Sequence, residues 1–421
     1  MARLRSAIVA LSTVLAAGAS FAAAVPSSAV PQPGAGSWAT AWAGSPVQGT
    51  TSTSTCPSAE GLSDRTVRNV LTTGAAGQRI RVRLSNSFGT STLHVGHATV
   101  ARQSSGASLE SGTLRELTFS GKKSADVPAG AEMFSDPVNL SVKELSHLSV
   151  SVYVPGSTGP VTNHNLGMQN SFISSAGDHS AADGGSDYPT PTTCMMLVDG
   201  VDVIRGHDAD GTIVTLGDSI TDGAVSTVNT DRRWPNYLVR RLSQLPGAVP
   251  AVANAAISGN EVLVDRVPVY FGISALHRLD RDVLNQSGAK TVIMLEGIND
   301  IGAASAKASD LIGGYQEVID RAHARGLKVY GGTLVPFMGS NGRFGGDYGT
   351  AYGEQQRQTV NQWIRTSGAF DGVIDFDKAV RDPANPAYML PAYDSGDHLH
   401  PGDLGYTAMA DANDLGMILR R

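Results

Sequence analysis

The sequence predicts two architectures in one chain. An all-β sandwich or jelly-roll domain spans residues 37–200. A doubly wound, parallel-sheet α/β domain of flavodoxin-like type follows over residues 205–421. Three observations carry this prediction. Apolar residues alternate with polar ones in many short runs between Trp38 and about Val198. Past residue 205, short apolar strands alternate with segments of helical period. The length of 421 residues fits two domains of roughly 100–200 residues each.

Composition narrows the function classes. Hydrophobic residues make up 41% and charged residues 17%, enough apolar material for packed cores, which excludes intrinsic disorder. The net charge of −6 excludes a strongly basic nucleic-acid binder and a protein held to anionic lipid by polybasic patches. The first 24 residues read as an export signal. Arg3 and Arg5 precede an apolar core from Ala7 to Ala19, with small-residue cleavage sites after Ala24 or Ala29. That core is too short for a membrane span, and no later stretch approaches the roughly 20 apolar residues required. Residues 25–36, rich in Pro, Ser and Gly, read as a flexible lead-in. The expectation is a secreted, monomeric chain without a stable membrane anchor or nucleic-acid partner. In an oxidising compartment its two cysteines, Cys56 and Cys194, are expected to pair. They are too few for a cysteine-based zinc site.

In the first domain Ile80, Val82 and Leu84 alternate with Arg79, Arg81 and Arg83, as do Leu148, Val150, Val152 and Val154 with serines and Tyr153. Leu93/Val95, Leu117/Phe119 and Val138/Leu140/Val142 mark further strands. In the second domain Thr212–Leu216 is a buried-type strand, followed by a helix presenting Trp234, Leu238, Leu242 and Leu245. Strands at Ala251–Ala255, Thr291–Leu295 and Leu327–Val335 come next. Helices are expected around Leu311–Ala322, around Val360–Ile364, and from Leu404 towards Leu419.

Chemistry in such a sheet gathers beyond the C-terminal strand ends, and four short motifs fall there. Gly217-Asp218-Ser219 ends the first strand. A serine on that turn can present its hydroxyl and N–H to a site, although helix N-capping is the plain alternative. The segment is not the Gly-x-Ser-x-Gly elbow, because Thr221 stands where the second glycine belongs. Asp397-His398-Leu399-His400 precedes the last helix. A three-residue spacing can set Asp397 beneath the ring of His400, leaving the other nitrogen for Ser219. A cation cluster of Asp394, Asp397, His398, His400 and Asp403 is the competing reading, without the ligand spacing of zinc enzymes. Asn299, in Glu296-Gly297-Ile298-Asn299-Asp300, could donate to an oxyanion, and Gly259 could offer its N–H to the same oxygen. A helix cap and a turn are their plain readings.

Taken in order, Gly-Asp-Ser, the glycine, Gly-x-Asn-Asp and Asp-x-x-His resemble the SGNH (GDSL) hydrolase family over residues 205–421. The resemblance implies Ser219 as nucleophile, His400 as base and Asp397 as its orienting partner. It also implies an oxyanion hole of the Ser219 N–H, the Gly259 N–H and the Asn299 side chain. It implies an ester hydrolase needing no cofactor and no metal, acting on a small-molecule or polysaccharide ester. Short acyl groups are expected, because the candidate site loop Met338–Asp347 is polar and glycine-rich. A carbohydrate acetyl esterase is the nearest alternative, and a non-catalytic polysaccharide-binding protein the alternative of another class. The β-domain looks like one attached to some secreted members of this family. Its His164 reads as a surface-loop histidine, with a reach over the active site as the competing reading. Arg232, Arg233, Arg240 and Arg241 read as the wet face of the helix after Ser219.

Overall fold

Five parallel strands lie in the order Ala251–Ala256, Thr212–Gly217, Ala289–Leu295, Lys328–Gly332 and Gly372–Ile374. The first strand in sequence thus sits between the second and the third, and the crevice opens where the winding direction reverses, beyond the strands' C-terminal ends. The computed structural model describes residues 37–50, 52, 56–206, 211–266 and 271–420. The expected export signal and lead-in lie outside the described residues.

Strand Thr212–Gly217 is buried along its whole length, as a strand covered on both faces must be, and this is why its sequence shows no apolar–polar alternation, its two threonines being hydrogen-bonded to Ser287 and Asn254. Helix Trp234–Ser243 buries Trp234, Leu238, Val239 and Leu242 against the sheet. Leu245 lies beyond its end and is exposed, so the helix is shorter than its apolar pattern. Helix Ala308–Ala324 buries Leu311, Tyr315, Val318, Ile319 and Ala322 on one face. Thr350 caps Ala351–Thr366 by accepting the Gly353 N–H. Two expected elements differ. The strand expected to reach Val335 ends at Gly332, and Leu334, Val335 and Phe337 continue as a buried loop, which apolarity alone does not distinguish from a strand. The expected final helix is two, Asp403–Asp411 and Leu415–Ile418, divided where the Asp414 side chain caps the second.

The strand-rich N-terminal half holds two larger antiparallel sheets. One runs Ser37–Ala43, Val198–Arg205, Gly77–Ser85 and Val138–Val142, with Glu132–Phe134 also on Gly77–Ser85. The other runs Thr190–Thr192, Ser171–Ala176, Arg65–Thr72, His147–Val154, His97–Ser105 and Ser108–Leu109, with Arg115–Glu116 also on His97–Ser105. Alternate residues of both sheets, among them Ile80, Val82, Val203, Val67, Val100 and Val150, fill one core. Leu117 and Phe119 are buried there but form no strand. The strand is Arg115–Glu116, and Phe119 makes only an isolated bridge to Lys122.

The described residues of both halves belong to one compact unit. Ser287 donates its N–H to Thr40 Oγ1 at 2.9 Å and its hydroxyl to Asp202 at 2.7 Å. On the outer strand of the parallel sheet, the Val252 N–H donates to the carbonyl of Gly74 at 3.1 Å. The sulfurs of Cys56 and Cys194 are bonded, with Cα atoms 5.6 Å apart, closing a sequence separation of 138 residues. Closing so long a loop restricts the unfolded chain, a contribution of about 2–4 kcal/mol. Replacing both cysteines by alanine is expected to lower the unfolding free energy by about that amount, measured by denaturant titration under non-reducing conditions.

Candidate active site

The end of strand Thr212–Gly217 turns directly into a short helix, Ser219–Asp222. Its N-cap is Asp218, which accepts the Ile220 N–H at 2.9 Å. Ser219 is therefore not the cap, and its hydroxyl is free for another partner. That partner is His400 Nε2 at 2.8 Å.

His400 is held from behind. Its Nδ1 lies 2.7 Å from Asp397 Oδ2. The other carboxylate oxygen accepts the N–H groups of Leu399 at 2.9 Å and His400 at 2.8 Å. Burial alone would raise the Asp397 pKa. The hydrogen bonds and charge of His400 and the two N–H groups outweigh it and hold the carboxyl well below its usual range. An ionised Asp397 fixes the tautomer with hydrogen on Nδ1, so Nε2 is the acceptor facing Ser219.

Ser219, Gly259, Asn299 and His400 all line one cavity of about 480 Å³. Gly259 has φ +80°, and a Cβ there would run into the Phe271 ring, so the turn requires glycine. Asn299 is fixed at both ends: its Nδ2 donates to the carbonyl of Asn260 at 2.8 Å, and its Oδ1 accepts the Tyr348 hydroxyl at 2.5 Å. One amide hydrogen remains for a bound oxygen. Phe344 and Gly346, from the glycine-rich loop, form another wall, the Phe344 ring 5.8 Å from that of His400.

Sequence reasoning missed the residue that braces these pieces. Arg278 is fully buried. Its guanidinium donates to the carbonyls of Gly217 (3.2 Å) and Ala255 (2.5 Å) and to Asn260 Oδ1 (2.8 Å), and lies 3.5 Å from Glu296 Oε2. Three strand ends and the turn carrying Gly259 thus share one cation. Tyr348 was missed as well. Neither has a sequence signal: an arginine in helix Ala275–Leu279 reads as solvent-facing by default.

Other expectations resolve differently. The five acidic and histidine residues near the C-terminus do not converge on one point. Asp394 pairs with His398 at 2.6 Å, Asp397 with His400, and Asp403 with Arg232 at 2.8 Å. His164 is not a surface-loop histidine and does not line the cavity. It is 4% exposed, and its Nε2 lies 3.1 Å from Asp222. Of the expected wet arginines, Arg233 is buried, with its Nε on Asn236. A second Ser–His–acid contact joins Ser180, His97 and Glu116 in the β-domain. There Ser180 is buried and the imidazole stands between two carboxylates, Asp178 and Glu116. Burial opposes but does not outweigh their raising of the His97 pKa. The nitrogen that faces Ser180, Nδ1, is also 2.7 Å from Asp178, and none of these residues lines the cavity of Ser219.

Three carboxyls lie buried under the site. Burial pushes Asp218 up to about 7, and Glu296 and Asp300 up to about 8. Glu296 Oε1 has no hydrogen-bond partner. Unfolded, Glu296 titrates near about 4.3, so between that pH and about 8 the folded state binds the extra proton. The associated stability is complete below the lower value and is lost as pH rises through the upper one. Glu296→Gln is expected to leave the melting temperature at pH 5 nearly unchanged and to raise it at pH 9, giving a shallower loss than wild type in scanning calorimetry.

Residues 215–408 match the GDSL-like Lipase/Acylhydrolase family model. No curated protein matches the chain. Similar solved structures include a GDSL-like lipase from Bacteroides thetaiotaomicron, at 20% identity and TM-score 0.36, covering 49% of this chain and 87% of that one. A carbohydrate acetylesterase family member from Sinorhizobium meliloti shows 16% identity and TM-score 0.38, covering 48% and 94%. The M. smegmatis aryl esterase shows 16% identity and TM-score 0.37, covering 48% and 95%. From the Gly-Asp-Ser strand to the helix after Asp397-x-x-His400, the chain carries a domain of the GDSL-like lipase/acylhydrolase family.

Proposed function

We propose that the protein is a secreted serine hydrolase of carboxylic esters, acting through an acyl-enzyme on Ser219. The observation that carries this reading is the continuous relay Ser219–His400–Asp397, whose serine lines the same cavity as Asn299 and Gly259. Ser219 Oγ attacks the ester carbonyl carbon as its proton passes to His400 Nε2. The oxyanion is received by the N–H groups of Ser219 and Gly259 and the Asn299 amide. Collapse breaks the bond to the alcohol oxygen, which leaves with the proton from His400. Water then attacks the acyl-Ser219 carbonyl, giving a proton to the same nitrogen. The acid departs as Ser219 regains its hydrogen. The route needs no metal or organic cofactor. Secretion is supported by the sequence of the first 24 residues and fits the Cys56–Cys194 bond.

Ser219→Ala and His400→Ala are each expected to lower kcat about 10⁴-fold or more with the fold retained. A fluorophosphonate probe should label wild type and not Ser219→Ala, and EDTA should leave turnover unchanged. Reversible loss of activity to EDTA without probe labelling would return the reading to a metal site.

The cavity of about 480 Å³ opens to solvent, and its walls include Ser258, Gly259, Arg266, Gly302 and Gly346 rather than a continuous apolar channel. Each buried acyl CH₂ contributes up to about 0.8 kcal/mol, so kcat/KM climbs only while the chain still finds buried room. Across p-nitrophenyl acetate to palmitate, below their solubility limits, the expected maximum lies between acetyl and butyryl. A maximum at ten carbons or beyond would require a deep apolar acyl channel.

A further inference from the structure

His164 reaches the hydrolase domain from the β-domain, in a two-residue strand, Asn163–His164, paired with Met195–Met196. That strand is tightly braced. Cys194, next to the Met195 opposite His164, is bonded to Cys56, and the Asn163 carbonyl accepts the Val47 N–H at 2.6 Å. The imidazole is buried, and both its nitrogens face acceptors. Nδ1 is 3.1 Å from the Ser45 carbonyl oxygen, and Nε2 is 3.1 Å from Asp222 Oδ1 and 3.2 Å from the Leu166 carbonyl oxygen. A neutral imidazole has one N–H and could satisfy only one side, so the geometry calls for the imidazolium. Burial works against that charge. The Asp222 carboxylate and the Ser45 carbonyl outweigh it and raise the His164 pKa, with nearby buried Arg233 opposing.

Asp222 is the last residue of the helix that begins at Ser219. Its second oxygen, Oδ2, accepts the Ser258 N–H at 3.0 Å, and the residue after Ser258 is Gly259. One buried carboxylate thus joins three things: the β-domain histidine, the helix of the nucleophile and the turn lining the cavity opposite it. A histidine placed only to glue two domains together could pair with any acid on their interface. This one pairs with the acid that holds the Gly259 turn.

We propose that His164 is a positioning residue of the ester hydrolase, holding the Ser258–Gly259 turn in its oxyanion-binding arrangement through Asp222. The proposal rests on the ester hydrolase reading above. It means that the β-domain contributes to the chemical step without touching substrate. The effect belongs in kcat rather than KM, because an oxyanion donor is needed only when the tetrahedral oxygen forms.

The two ring nitrogens can be separated by substitution. In His164→Gln the amide N–H₂ occupies the Nε2 position and can still donate to Asp222. In His164→Asn it occupies the Nδ1 position and can donate only towards Ser45. The assay is p-nitrophenyl acetate hydrolysis by the full chain, each variant kept well below its own melting temperature. His164→Asn is expected to lower kcat about tenfold or more with KM within about twofold, and His164→Gln to stay within about threefold of wild type. A purely structural ion pair would lower the melting temperature of both variants and leave kcat alone. Equal kcat in the two variants, or wild-type kcat in His164→Asn, overturns the proposal. Should only one variant fold, its kcat against wild type decides: wild-type turnover by Asn, or a tenfold loss by Gln, overturns it. Failure of the underlying reading looks different: wild type itself would neither hydrolyse the ester nor react with the fluorophosphonate at Ser219.

Discussion

The candidate site depends on one buried guanidinium. Removing Arg278 from water costs several kcal/mol, a cost met only when its donors find well-placed acceptors and its charge finds partners. Those partners are the carbonyls that end two neighbouring strands, Gly217 and Ala255, the side chain of Asn260, the carboxyl of Glu296 at the end of a third strand, and the buried carboxylate of Asp282 at 3.3 Å. Any drift of one strand end against another would break a bond to a charge that has no water to fall back on. The same Asn260 offers its carbonyl to Asn299, so the constraint passes from the sheet to the amide that faces the cavity. Ser219, Gly259 and Asn299 come from three separate turns, and this shared cation makes their spacing a property of the sheet.

The surroundings of that cation also shape the field around the reacting oxygen. Asp218, Glu296 and Asp300 lie close beneath the cavity floor, and ionised carboxylates there would oppose a developing negative charge. Burial raises all three to near or above neutrality, so much of that charge is absent at neutral pH. Asp397 sits at the other extreme: its hydrogen bonds keep it ionised, where a negative charge stabilises the imidazolium formed as Ser219 loses its proton. Acids of similar intrinsic strength are thus sorted by solvation and hydrogen bonding.

Much of this was legible in the sequence, for identifiable reasons. Strand and helix periods reflect which faces are buried, so four strands of the parallel sheet and its main helices could be read from their apolar spacing, while the three-residue edge strand Gly372–Ile374 could not. Asp397 and His400 were legible as a pair because their contact is local, three residues apart. Ser219 and Asn299 stood out as candidates because parallel strands carry function at their C-terminal ends, and their expected roles came from the family resemblance rather than from either residue alone. What remained hidden was long-range pairing of charged groups. Arg278 and His164 are buried by partners distant in sequence, and nothing in a residue's immediate neighbours reports such a partner. Leu334 and Val335 misled in the opposite sense: a loop can be as buried as a strand when side-chain amides satisfy its backbone, as Asn361 does for the Leu334 N–H at 2.7 Å.

The hydrogen bond from the Val252 N–H to the Gly74 carbonyl has a meaning beyond the contact itself. Ala251–Ala256 is the outermost strand of the parallel sheet, and an outermost strand left open is a template for pairing with any other chain. Here the β-domain backbone lies against it, at a glycine where a Cβ would collide with the Val252 carbonyl. The two halves are therefore poor candidates for exchange or excision. A hydrolase domain cut away near residue 205 would carry an unprotected, apolar sticky edge into solution, and self-association would compete with folding. In this protein the β-domain backbone meets that edge of the sheet that carries the serine.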